Sequence, residues 1–182
     1  MPSFIMIGLA ALAASSPAVA AENLACASGL IDAKTNDELF AAYRREEEIG
    51  EKIGDKVGKK LAACLLNHDW SEEATESAMR VVFGEILERG FVKEFAAFKG
   101  LSMDKLRTAT DGYLASLPPE ERRKFADGDL GNNSANIYVQ TLLVQEAVPM
   151  DLLENEAFGR LIGEFAAARA NQTVFRAAFE QQ

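Results

Sequence analysis

The sequence predicts an all-α protein: a single helical-bundle domain of about six or seven helices behind a cleaved signal peptide. Three observations carry this. Apolar residues recur at three- and four-residue spacing in nearly every segment past the first twenty, and short Ser-, Pro- or Gly-marked breaks separate the segments. The one run rich in β-branched residues, IYVQTLLVQ from Ile137, has no second run to pair with, so it reads as helix rather than strand. With 182 residues, 48% of them hydrophobic and 26% charged, the chain is long enough for one well-formed core.

The N-terminus comes first. Residues 1–20 carry no charged side chain, and Phe4 to Ala14 form an apolar run of signal-peptide length. Ala18-Val19-Ala20 is a small-x-small cleavage site, so the mature chain is expected to begin at Ala21 and residues 21–182 to form the helical domain. The n-region lacks Lys and Arg, which keeps an uncleaved anchor as the rival reading, although the apolar run is short for a membrane span. After cleavage no transmembrane span is expected. The alanine-rich leader points by composition to a Gram-negative periplasm. In that oxidising compartment the two cysteines, Cys26 and Cys64, read as one disulfide. It would close a loop of roughly 38 residues and stabilise by about 4 kcal/mol in the chain-entropy model.

A lead-in over residues 23–33 is followed by one long helix expected from Asn36 or Asp37 to Asn67. Within it Gly50, Gly54 and Gly58 recur every four residues, beside an apolar row of Ile49, Ile53 and Val57. Glycine in a helix interior costs roughly 1 kcal/mol relative to alanine, so three of them imply close approach of a neighbour. That neighbour is either a partner helix of the bundle or a second molecule at an exposed seam. The run GDKVGKK lacks the gap, the Ser/Thr and the preceding strand of a phosphate-binding loop.

Ser71 then caps a helix expected to run to about Arg89, with Gly90 interrupting it and a short aromatic helix over residues 91–99. Ser102 caps the next. Leu117-Pro118-Pro119 is a stop followed by a start. The loop-like DGDLGNN, residues 127–133, is where two sub-bundles would meet. A helix from Asn133 or Ser134 is expected to reach Pro149, and Asp151 to Glu154 resemble a capping box for the last long helix. A terminal piece places Phe175 and Phe179 at i,i+4, a candidate docking face for a partner.

Chemistry is sparse. His68 is the only histidine, and with Asp69 and Trp70 it makes the one cluster an enzyme reading could use. Asp127 and Asp129 sit like the first two ligands of a calcium loop, but Gly131, Asn132 and Tyr138 occupy the positions that should hold a ligand, the turn glycine and the closing glutamate. No catalytic residue, cofactor or metal is expected. A net charge of -9 argues against a nucleic-acid partner. The expectation is therefore a protein that binds a protein partner in the cell envelope, of inhibitor, immunity, adaptor or chaperone type. A small-molecule or lipid carrier with a phenylalanine-lined cavity is the alternative.

Overall fold

The computed structural model describes residues 17–47, 58, 61–129 and 131–181, and all regular structure among them is helical. Helix α1 spans Pro17–Ser28 and α2 spans Ala33–Arg44. Residues 61–68, with Gly58 before them, are the described helical residues of α3. Then follow α4 (Glu72–Phe95), α5 (Met103–Ser116), α6 (Pro119–Ala126), α7 (Asn132–Val144), a 3-10 turn (Met150–Glu154) and α8 (Glu156–Phe179).

The centre is the pair α4 and α8. They run antiparallel, because Gly84 meets Ala168 and Gln172 while Phe95 meets Phe158 and Phe165. α4 buries residues on every side, from Ala74 through Val81, Leu87 and Phe91 to Phe95. A helix enclosed in this way has no polar face to solvate, so it shows little amphipathic pattern. The polar groups it does bury must be paired, and Glu88 is. Its carboxylate accepts from Arg107 Nε at 2.7 Å, Arg169 Nη1 at 2.7 Å and Gln172 Nε2 at 2.8 Å, and Arg169 also grips Asp111 with two N–H groups at 3.0 and 2.6 Å. Burial pushes the Glu88 carboxyl up, but the hydrogen bonds from Gln172, Arg107 and Arg169 together outweigh it and hold the group below the usual carboxylate range.

The close approach of helices rests on two glycines of α4. A Cβ on Gly84 would stand 2.7 Å from the Ala168 carbonyl oxygen, and one on Gly90 would stand 2.1 Å from the Phe40 ring. Gly90 therefore does not interrupt the helix. It lets the Phe40 ring of α2 lie against the α4 backbone, and α4 continues to Phe95. The two-helix reading of residues 71–99 is corrected accordingly.

The single long helix expected from Asn36 to Asn67 is also corrected. Asp32 caps α2 by accepting the Thr35 N–H at 2.7 Å, one turn before Asn36. Asn36 is instead buried and donates to the Ile86 carbonyl. α2 ends at Arg44, where Glu46 adopts φ +58° and the Glu47 N–H reaches back to the Ala42 carbonyl. This is a Schellman closure made without glycine. Two more helix ends use the same device. Asp69 (φ +51°) precedes the Trp70 N–H to Leu65 carbonyl bond, and Glu146 (φ +50°) precedes the Ala147 N–H to Leu142 carbonyl bond. The last of these stops α7 at Val144, short of Pro149.

Near the C-terminus the expected capping box is a 3-10 turn, and the cap of α8 is Asn155, whose Oδ1 accepts the Phe158 N–H at 3.2 Å. α8 then runs unbroken to Phe179, with no separate terminal piece. Cys26 of α1 and Cys64 of α3 are disulfide-bonded, with Cα atoms 5.9 Å apart. α8, which follows residues 127–133, packs against α4 and α6, which both precede them. α7 packs mainly on α5, where the buried Tyr138 hydroxyl lies 2.8 Å from Thr110 Oγ1 and burial raises its pKa.

Candidate functional site

Along the α4–α8 pair lies an open groove of about 610 Å³. One wall is the α8 stripe Arg160, Gly163, Glu164, Ala167 and Asn171, spaced at three and four residues. The facing wall is Arg80, Phe83 and Leu87 of α4, at i, i+3 and i+7. Tyr43 of α2 lies at the Glu164 side, and the end of α6, Ala126 to Gly128, contributes the remaining edge. Small side chains on α8 leave the space. Gly163 and Ala167 project too little to fill the gap that Phe83 and Leu87 span opposite them.

The carboxylates along this groove are already paired. Glu164 accepts from Arg44 Nη1 at 2.7 Å, and Asp127 lies 3.6 Å from Arg123 Nε. Arg44 also holds Glu94 and stacks over the Phe40 and Phe91 rings, with Cζ 5.2 and 5.0 Å from their centroids. Burial would lower the Arg44 pKa, but its hydrogen bonds to Glu94 and Glu164 outweigh burial and raise it. Burial raises the pKa of the neighbouring Tyr43 hydroxyl, and the Glu164 charge adds to that. Neither Tyr43 nor Arg44 is poised to transfer a proton near neutral pH.

The two arginines that line the groove are different. Arg80 packs its guanidinium over the Phe175 ring, 5.2 Å from the centroid, and has no ion pair among the described residues. Arg160 is exposed and likewise has none. Asn171, 3% exposed, donates both Nδ2 hydrogens, to the Ala126 and Ala167 carbonyls, while its Oδ1 finds no donor.

The residues singled out from the sequence fall elsewhere. Gly50, Gly54, Ile49, Ile53 and Val57 lie outside the described residues. At Gly58 no described atom stands within 4 Å of where a Cβ would be. Phe175 and Phe179 are 3% and 5% exposed. They are corrected from a docking face to core: Phe175 is covered by Arg80 and Arg123, and Phe179 packs edge-on against Trp70 at 5.1 Å. His68 stacks on Trp70 with centroids 6.2 Å apart, while Asp69 is exposed in its left-handed turn. Among the described residues no group of three or more His, Cys, Asp or Glu is placed to hold a metal ion. Asp127 of the calcium-like loop faces Arg123 instead.

The phenylalanines pack ring against ring: Phe95 with Phe158 and Phe165 at 5.9 and 5.5 Å, and Phe98 with Phe158 at 4.8 Å. Of the phenylalanines, Phe83 lines the groove. The sequence did hold a signal for this site, the small-and-polar α8 stripe from Arg160 to Asn171. Such a stripe is indistinguishable from an ordinary solvated face until α4 is laid beside it.

No protein-family model, no curated protein and no solved structure matches the chain. No helix among the described residues is long and apolar enough to cross a membrane.

Proposed function

We propose that this is a secreted, periplasmic protein that acts by binding a partner protein in the α4–α8 groove, as an inhibitor, immunity protein, adaptor or chaperone does. The observation that carries the reading is the groove itself: open, with Phe83, Leu87, Gly163 and Ala167 between its ends, and lined by two arginines that no described carboxylate neutralises. A surface of this kind gains by being covered, because apolar area leaves water and the cations find partners. The apolar leader and the Cys26–Cys64 disulfide support export. A carrier would enclose its ligand among the phenylalanines, and their ring-to-ring packing weighs against that alternative.

The test is cross-linked capture from an envelope fraction with tagged wild type and with Ala167→Trp, which fills the groove from its half-buried wall. One near-stoichiometric partner held by the wild type and lost by the variant is the expected result. Equal capture by both would remove the groove from the function. The intact mass under non-reducing conditions should correspond to a start at Ala21 and lack two hydrogens; a full-length mass would overturn the cleaved-leader reading.

A further inference from the structure

The geometry points to an acidic protein segment as the occupant of the groove: an extended stretch with carboxylates at both ends and apolar side chains between them. This inference rests on the groove being the binding site.

Acids outnumber bases in this chain, 28 to 19, so a cation without a carboxylate is the exception. Among the described residues, Arg80, Lys99, Arg122 and Arg160 have no ion pair, and two of these four line this one groove. Its own carboxylates, Glu164 and Asp127, are held by Arg44 and Arg123 and do not compete. Arginine presents a planar fork that fits a carboxylate with two parallel hydrogen bonds.

Spacing comes next. The Arg80 guanidinium lies over Phe175, and Arg160 stands about four helical turns earlier on α8. At 1.5 Å per residue the two cations are separated by roughly 20 Å along the helix axis. An extended chain covers that distance in about six residues. Between the arginines the walls are Phe83, Leu87, Gly163 and Ala167, which suit apolar side chains.

A third observation favours peptide over a lipid or a phosphate. Asn171 lies along the same wall, 3% exposed, and its Oδ1 lacks a donor. Once the side chain turns that buried oxygen toward the groove, a backbone N–H of an extended segment can donate to it, whereas a fatty-acid carboxylate or a phosphomonoester dianion offers only acceptors.

The probe is a fluorescent peptide, Glu-Glu-Leu-Ala-Phe-Leu-Glu-Glu, with glutamine and lysine versions in the same frame, titrated by anisotropy against the full chain. The acidic peptide should bind, the glutamine version at least about tenfold more weakly, and the lysine version not at all. The double variant Arg80→Ala/Arg160→Ala, whose side chains hold no ion pair that the fold needs, should lose at least about tenfold for the acidic peptide and nothing for the glutamine one. Ala167→Trp should abolish both. Equal binding of the acidic and glutamine peptides, unchanged in the double variant but blocked by Ala167→Trp, would overturn the acidic specificity and leave the groove reading standing. Binding indifferent to every variant would overturn both. Failure of all the peptides, or full displacement by equimolar inorganic phosphate, would overturn the peptide inference, and the partner-capture experiment with Ala167→Trp would then decide the groove separately.

Discussion

Replacing Gly84 by alanine tests the central packing of this fold. In an unconstrained helix the substitution gains about 1 kcal/mol, because glycine loses more backbone entropy on ordering. At Gly84 the new Cβ would stand 2.7 Å from the Ala168 carbonyl oxygen, 2.8 Å from Gln172 Cγ and 3.2 Å from the Gln172 backbone N. Two of these neighbours are backbone atoms of a buried helix, so relief requires α8 to move away from α4. Overpacking of this kind costs about 1–3 kcal/mol or more, and any shift also loosens the Gln172 bond to Glu88. The net expectation is a loss of about 1–2 kcal/mol, roughly 4 °C in Tm for a chain of this size. Gly112 of α5 is the control, since a Cβ there meets nothing within 4 Å. Gly112→Ala should gain about 0.5–1 kcal/mol. Urea unfolding of both variants, with m checked for constancy, gives the comparison. If Gly84→Ala gained stability as Gly112→Ala does, the claim that α4 and α8 meet through this glycine would be wrong.

Two further predictions concern charge and turns. Arg169→Leu removes one donor from Glu88 and both from Asp111, leaving a largely buried carboxylate short of a partner, and should cost about 3 kcal/mol at pH 7. Because the folded-state pKa of Glu88 is depressed, its contribution is present above the unfolded carboxylate value near about 4.3 and is lost as pH falls through the folded value. In the variant that folded value rises, so the gap between the two proteins should narrow as pH falls below about 4; urea midpoints at about pH 7, 5 and 3 that keep a constant gap would contradict the account. Glu146→Gly should raise stability by about 0.5–1 kcal/mol, because Glu146 holds φ +50° at the end of α7 and its contact with Lys105, at 3.8 Å and well exposed, is worth little; a lower Tm by calorimetry would show that this pair matters more than the backbone.

Several elements were legible because their causes are local. Ser71 and Ser102 cap α4 and α5 as the sequence indicates, since a hydroxyl three residues before an orphan N–H acts within one turn. The Leu117-Pro118-Pro119 break and the start of α6 follow from proline geometry alone. The disulfide followed from there being two cysteines and no others. The helix ends at Arg44 and Val144 were not legible, because they close around glutamates, and nothing about a glutamate announces a left-handed conformation. Gly90 misled for the complementary reason: a glycine reads as a break until the Phe40 ring that fills its place is known.

By itself, then, the sequence determined what depends on neighbours within a few residues: an all-helical chain, the Ser71 and Ser102 caps, the proline break before α6, and the thiol pair. Only the tertiary structure decided which glycines are pressed and which phenylalanines are core. It also decided that two arginines 80 residues apart, Arg80 and Arg160, line one groove. Burial and charge pairing are properties of surfaces in contact, and helical periodicity says which face a residue lies on but not what is brought against that face.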